Sequence, residues 1–237
     1  MRKPKLNPNG YVLYEGPSPI DGAPIVCIAT GFTDTTDNGK TGAMLQTWIL
    51  RQDIPPNVAY RDGRGSSVCG GCQHFVQKTC YVLWYQAPLA VWNCYKRGGY
   101  APLPSYSAFA GRILRIGSAG DPFCIPEDVW RSALAEVAGH TGYTAQWRRP
   151  AAAGYRDFLQ ASCHGMRDYL DATAHGWQPY LVVPKGEPLP EGVTLCPASE
   201  EAGHATTCSA CLGCDGSTGA YGIPAHGARS AAFTPSR

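Results

Sequence analysis

The hydrophobic positions change their spacing along the chain. Near the N-terminus, Tyr11–Tyr14, Pro24–Thr30 and Met44–Leu50 are short apolar runs bounded by turn residues, which predicts a β-leaning region. Further on, Ile113-Leu114-Arg115-Ile116 leads into Gly117-Ser118-Ala119-Gly120-Asp121, the form of a strand that ends in a loop. A helix is expected next, with Pro126 at its first position, Glu127 and Asp128 at its positive end and Gly139 as its stop. Within it Trp130, Ala133, Leu134 and Val137 recur at helical spacing, so one face should be buried.

The alternation continues. Tyr143–Trp147 reads as a strand, and after a short connection so does Phe158–Cys163. A second helix should place Met166, Tyr169, Leu170 and Thr173 on one stripe and end near Gly176, before a strand over Tyr180–Val183. Strands alternating with helices predict an α/β fold with a parallel sheet. A partial or degenerate (β/α) barrel explains this order better than a sandwich or a bundle, with cysteine-rich metal-binding segments before and after the barrel core. Three segments follow: 1–68 as an N-terminal β-rich part, 69–195 as the partial barrel with a first cysteine cluster, and 196–237 with a second. The Gly/Ala/Ser-rich tail from Gly216 is expected to be flexible, apart from a strand-like piece at Tyr221–His226.

Composition narrows the class. A chain of 237 residues with 44% apolar and 16% charged residues can bury a sizeable core. Its formal charge of +2 neither requires nor rules out a nucleic-acid partner. The basic opening Met1–Gly10 has no apolar run behind it, and no stretch is long enough to span a membrane. A cytoplasmic protein is the expectation, and in that reducing compartment eleven cysteines are metal ligands or buried thiols rather than disulfides.

Two groups of cysteines carry candidate chemistry. Cys69-Gly70-Gly71-Cys72 followed by Cys80 has the spacing C-x2-C-x7-C, and the two glycines allow the tight backbone that one shared ion demands. This gives three ligands. The fourth is left to His74, a distant cysteine, or a substrate or cofactor. The aromatic stretch Tyr81–Tyr95 behind it could stack an adenosyl group, although packing over the site explains it more simply. The second group, Cys196-x11-Cys208-x2-Cys211-x2-Cys214, can close a tetrahedral shell or hold a four-iron cluster. Its consecutive x2 spacings favour ferredoxin-type ligation over paired zinc knuckles, with zinc as the alternative.

Other residues are weaker. Gly39-Lys40-Thr41 is no phosphate loop, because Gly31 stands too far before Gly39. Arg115, Gly120 and Asp121 end a strand where α/β folds bind ligands, as does Gln146 with Arg148 and Arg149 after the next strand. These are the cofactor-binding candidates, with Asp121 equally suited to cap a turn. Cys163 and His164 are neighbours on a strand and should point oppositely, so they form no dyad. Cys27, Cys94 and Cys124 read as buried thiols, while no catalytic residue can be named.

Taken together, Cys69-x2-Cys72…Cys80-Tyr81, Arg115…Gly120-Asp121 before Trp130, Gly142-Tyr143-Thr144…Trp147-Arg148, and Cys196-Pro197-Ala198…Cys208-x2-Cys211-x2-Cys214-Asp215 resemble a phage- and mobile-element-encoded, radical-SAM-like family. The resemblance implies a partial (β/α) barrel with one four-iron cluster on Cys69, Cys72 and Cys80, and an auxiliary one on Cys196, Cys208, Cys211 and Cys214. It also implies that S-adenosylmethionine binds the first cluster and is cleaved reductively, for a reaction on an unknown substrate. The chain departs from the usual C-x3-C-x2-C signature, and Tyr81 follows Cys80 where an aromatic residue normally precedes the last cysteine. Two other readings stand beside this one: a zinc-stabilised structural or nucleic-acid-binding module, and a small electron-transfer or redox-sensing iron–sulfur protein.

Overall fold

In a computed structural model of the protein, which describes residues 5–35 and 38–236, the first three β-leaning runs form strands. They are β1 (Gly10–Pro17), β2 (Pro24–Thr30) and β3 (Leu45–Arg51), paired antiparallel in that order. Ile25–Ala29 of β2 are fully buried, as a continuous apolar run in a central strand should be. The short β4 (Ala101–Pro102) adds parallel to β1, and β5 (Ile113–Ala119) adds parallel to β3. The row therefore runs β4-β1-β2-β3-β5.

The helices α1 (Pro56–Arg61), α2 (Ser66–Cys69) and α4 (Ala87–Lys96) pack on β3. The following α5 (Glu127–Leu134) buries Trp130, whose indole N–H donates to Pro122 O at 2.9 Å. This helix stops five residues before the expected Gly139. Pro126 is its N-cap rather than its first residue. The chain leaves the helix because Ala138 N–H bonds to Arg112 O at 2.9 Å, which leaves Val137 outside it. These elements belong to one compact unit, formed by the described residues of Met1–Thr36, Ala43–Gly70 and Val82–Ala138.

A second unit comprises the described residues of Asp37–Gly42, Gly71–Tyr81 and Gly139–Arg237. These bounds cut across the segments 1–68, 69–195 and 196–237. The unit contains α3 (Gln73–Val76), β6 (Gly139–Thr144), β7 (Gln160–Cys163), α6 (Met166–Ala174) and β8 (Pro179–Val183). Then come β9 (Thr194–Leu195), α7 (Cys208–Cys211) and β10 (Tyr221–Pro224). Its strands form a row β6-β7-β8-β10-β9 in which every neighbouring pair is parallel. The helix α6 is the crossover from β7 to β8 and packs on both.

The α/β class is as expected, but neither row of strands closes on itself into a barrel. Three local expectations also change. The strand expected over Tyr143–Trp147 begins earlier and ends at Thr144, because the Thr144 hydroxyl accepts from Gln146 N–H and turns the chain. The buried face of α6 carries Asp168 and Ala172, leaving Met166 and Leu170 exposed. An inward-facing carboxylate, held by polar partners, sets that face. The tail is not loose: Phe233 is buried, Thr234 exchanges hydrogen bonds with the Gln77 side chain, and Ser236 N–H donates to His164 O at 2.6 Å. Among the described residues, no helix is long and apolar enough to cross a membrane.

Candidate metal centre

The four C-terminal cysteines arrive from three directions. Cys196 follows β9, and its N–H donates to Gly222 O at 2.9 Å, which ties it to β10. Cys208 and Cys211 are the ends of the single turn α7, whose Cys208 N–H is fixed by Lys40 O at 2.9 Å. Leu212 then adopts a left-handed backbone with φ 53°, reversing the chain so that Cys214 returns toward β6, where its carbonyl accepts from Gly142 N–H. A Cβ at Gly213 would lie 2.5 Å from Tyr221 Oη, so a larger residue there would push that ring aside.

These thiols share one apolar neighbourhood. Cys196 and Cys214 are buried with Tyr180, Val182, Ile223 and Phe233, and Cys208, Tyr143 and Tyr221 pack against them. Tyr143 hydrogen-bonds to Cys214, and Tyr180 to Cys196. Burial pushes the Cys214 thiol well up, the Tyr143 hydroxyl opposes this, and the nearby Cys196, Cys208 and Cys211 raise it further. Burial likewise raises both tyrosines, so each hydroxyl keeps its proton to donate. Gln160 braces the loop from β7 by donating to Gly213 O at 3.4 Å and Gly219 O at 2.8 Å.

The first cysteine group is divided. Cys69 ends α2 in the N-terminal unit, where it is buried, whereas Cys72 and Cys80 belong to the C-terminal unit and are half-buried. Cys72 is the residue before α3, and its Sγ stands 3.9 Å from His164 Nε2. After α3, Lys78 takes φ 58° and the chain folds back, so that Thr79 and Cys80 N–H both donate to His74 O. His74, the ligand expected nearest in sequence, is otherwise engaged. Its Nδ1 is bonded to Thr79 Oγ1 at 2.9 Å, and its ring stacks on Phe233 and meets His164 edge-on. Burial, with His164 and His226 nearby, lowers its pKa to about 3.

His164 is held from its other side by Asp168. That carboxylate accepts from the His164 backbone N–H at 2.9 Å, from Ser236 Oγ at 2.9 Å and from Arg148 at 3.0 Å, and its Oδ2 lies 3.7 Å from His164 Nδ1. Burial pushes Asp168 up, but the bonds from His164, Ser236 and Arg148 outweigh it and hold the carboxylate far below its usual range. Beside it is a cavity of about 310 Å³ lined by Gln73, Arg148, Arg167, Asp168, Asp171 and Ser236. Cys163 faces away, its thiol directed to Ala161 O at 3.4 Å, as strand alternation requires.

The expected cofactor-binding residues fall in both units. Arg115, Gly120 and Asp121 are in the N-terminal unit, Gln146 in the C-terminal one. Asp121 takes the capping role: its carboxylate accepts from Phe123 N–H at 3.0 Å at the start of a 3-10 turn. Gly120, with φ 80°, lies where a Cβ would be 2.5 Å from Ile49 O. Gln146 is buried and accepts from Arg149 at 3.2 Å. Cys27 and Cys124 are buried thiols, as expected, and Cys94 is half-buried.

Tyr143 and Tyr180, in β6 and β8, and His164, just after β7, stand beside the cysteines in ways that spacing did not identify, because an isolated aromatic or imidazole carries no ligand signature. The donor set of Cys196, Cys208, Cys211 and Cys214 suits a soft metal: four thiols, two buried and two half-buried, with hydroxyl donors beside the buried pair. Among the described residues, no three His, Cys, Asp or Glu side chains already stand in an arrangement that would hold an ion. The site is therefore defined by which residues it gathers rather than by a finished ligand geometry. Comparison with protein-family models, curated proteins and solved structures finds no match to this chain.

Proposed function

We propose that this is a cytoplasmic iron–sulfur protein, with Cys196, Cys208, Cys211 and Cys214 as the ligands of a four-iron cluster. The observation that carries the reading is the gathering of these thiols, with Cys196 and Cys214 buried together, Cys208 packed against them and Cys211 near Cys214, and with Tyr143 and Tyr180 hydrogen-bonded to the buried pair. Hydrogen bonds to ligating sulfur withdraw charge from it, which suits a cluster that changes oxidation state. When bound, the cluster would supply one-electron chemistry. The chain itself positions the sulfurs, excludes water with Val182, Ile223 and Phe233, and keeps two protonated phenols on the thiolates.

By spacing, the same reading extends to Cys69, Cys72 and Cys80 as ligands of a second centre. The resemblance adds a radical-SAM-like enzyme with S-adenosylmethionine at that centre, acting on an unknown substrate. The parallel row β6-β7-β8-β10 with its α6 crossover supports that likeness only as far as an α/β class with parallel strands, since the row does not close.

Anaerobic purification followed by iron, sulfide and zinc analysis tests the proposal. Iron and sulfide in cluster proportions are expected, with the share of the C-terminal cluster lost in Cys208→Ser and Cys211→Ser. Stoichiometric zinc without sulfide would replace the iron–sulfur reading with that of a zinc-stabilised module. Reductant-dependent release of 5′-deoxyadenosine then tests the S-adenosylmethionine step separately.

A further inference from the structure

The tail of the chain is held in the way a bound peptide is held. We propose that the groove of the C-terminal unit that takes Phe233–Ser236 is a peptide-recognition site, filled here by the chain's own tail and able to take an extended peptide segment of the same chemistry from a partner. This goes beyond the iron–sulfur reading and depends on no metal.

The contacts are those of recognition. The Gln77 side chain meets both backbone groups of Thr234: its Nε2 donates to Thr234 O at 2.8 Å, and its Oε1 accepts from Thr234 N–H at 2.8 Å. A sheet edge offers an added strand the same reciprocal pair, here delivered by one amide. Gln73 Oε1 accepts from that Nε2 at 3.1 Å and fixes the amide in place. One residue earlier, the Phe233 ring is buried and stacks on His74, which gives the segment an aromatic anchor. Three residues beyond the anchor, Ser236 N–H donates to His164 O at 2.6 Å and its hydroxyl to Asp168 Oδ2 at 2.9 Å. Gly165, with φ 133°, makes room between them, since a Cβ there would stand 2.7 Å from Pro235 Cβ.

The chain before these four residues sets them apart from a core strand. β10 ends at Pro224, and Ala225 N–H still bonds to Val183 O. After it, Gly227, Ala228, Arg229, Ala231 and Ala232 are exposed. Backbone bonds in this stretch join near neighbours: Ser230 N–H to Gly227 O, Ala232 N–H to Arg229 O and Phe233 N–H to Ser230 O. The segment is thus a short tether that ends in a ligand. Tethering gives the tail a high effective concentration, so it fills the groove although its contacts are few.

The groove specifies its partner position by position. It takes an aromatic residue first, then a residue whose backbone N–H and C=O are both free for Gln77. Thr234 is itself exposed, so the identity of the second side chain is not read. The third position needs no N–H, and proline stands there. The fourth takes a small hydroxyl residue, beside a cavity of about 310 Å³ that Arg148, Arg167, Asp168 and Asp171 line. Those charged walls favour polar residues at the downstream end of the bound segment.

The test uses the full chain and a fluorescein-labelled peptide of residues 229–236. In the chain carrying Phe233→Ala and Ser236→Ala, the tail loses its anchors while the groove keeps its residues. Fluorescence anisotropy should show the peptide binding this variant at least about tenfold more tightly than the parent, whose groove is already filled. Adding Gln77→Ala to the variant should weaken binding by about 10- to 30-fold, the scale of two hydrogen bonds lost together. Phe233→Ala in the peptide should abolish binding. Hydrogen exchange on the parent chain needs no variant: the amides of Thr234 and Ser236 should exchange faster than that of Ala225, through release of the tail alone. Exchange of those two amides no faster than Ala225 would overturn the proposal, because the tail would then open only with the core. Failure of the peptide to bind the folded variant, or binding indifferent to Gln77→Ala, would overturn it as well. Metal content enters neither readout, so this test and that of the iron–sulfur reading fail separately.

Discussion

The ring of Phe233 stacks on that of His74, with centroids 4.8 Å apart and planes inclined by 28°. A residue from a glycine- and alanine-rich tail thus packs against the loop that carries Cys72 and Cys80. Phe233→Ala should lower stability by about 3 kcal/mol, the usual scale for emptying a buried phenylalanine site. A denaturant melt measures this, and an unchanged midpoint would show that the tail contributes nothing to the core.

Tyr143→Phe removes a hydroxyl donor from Cys214 while keeping the ring. If the C-terminal cysteines hold an iron–sulfur cluster as proposed, loss of a hydrogen bond to ligating sulfur should lower its reduction potential. A redox titration followed by absorbance checks the direction. Tyr180→Phe, which acts on Cys196, should shift it the same way.

The buried thiols provide the contrast. Cys163→Ala should keep the full metal content, because its thiol faces Ala161 O rather than either cysteine group. Cys214→Ala should lose the metal of its centre. Metal analysis of both variants distinguishes a ligand from a packed thiol.

Gly120→Ala tests the turn after β5. With φ 80° and Ile49 O only 2.5 Å from the position a Cβ would take, the substitution meets both strain and a backbone clash. A loss of at least about 1–3 kcal/mol is expected from the strained backbone alone. Gly63, also at positive φ but with open space around it, should show the smaller effect.

Acid should weaken the C-terminal unit through His140. Burial lowers its pKa, although a bond to Phe158 O and the nearby Asp215 work against this. The unfolded chain takes up a proton near the ordinary imidazole value of about 6.5, while the folded chain does not. The contribution of His140 is therefore complete above that pH and is lost as pH falls toward the depressed folded value, by at most about 1.4 kcal/mol per pH unit. Urea midpoints for the parent and for His140→Gln, measured above and below that value, should converge in acid.

Much of the local structure could be read from the residues. The run Pro24–Thr30 is a strand with the bounds its apolar stretch implied, and Met166–Ala174 is a helix ending just before Gly176. The α6 stripe was misplaced because periodicity weighs Met166 and Leu170 as core, whereas the bonds that Asp168 makes turn the opposite side inward. A partial barrel was expected where the strands stay open, for a related reason: strand order depends on which edges pair, and β10 enters between β8 and β9. The C-terminal cysteines were visible from spacing, while the nearness of His164 to Cys72 was not, since ninety-two positions separate them.

The position of β10 between β8 and β9 gives the C-terminal unit a direction in time. As the chain is synthesised, β6, β7, β8 and β9 are made first, then the loop with Cys208, Cys211 and Cys214, and only afterwards the strand that seats them. Until β10 enters, Cys196 lacks the Gly222 carbonyl that its backbone N–H bonds to. There is consequently an interval in which all four sulfurs exist but have not been enclosed. A metal or cluster delivered during that interval would meet accessible ligands, and pairing of β10 would then seal it in.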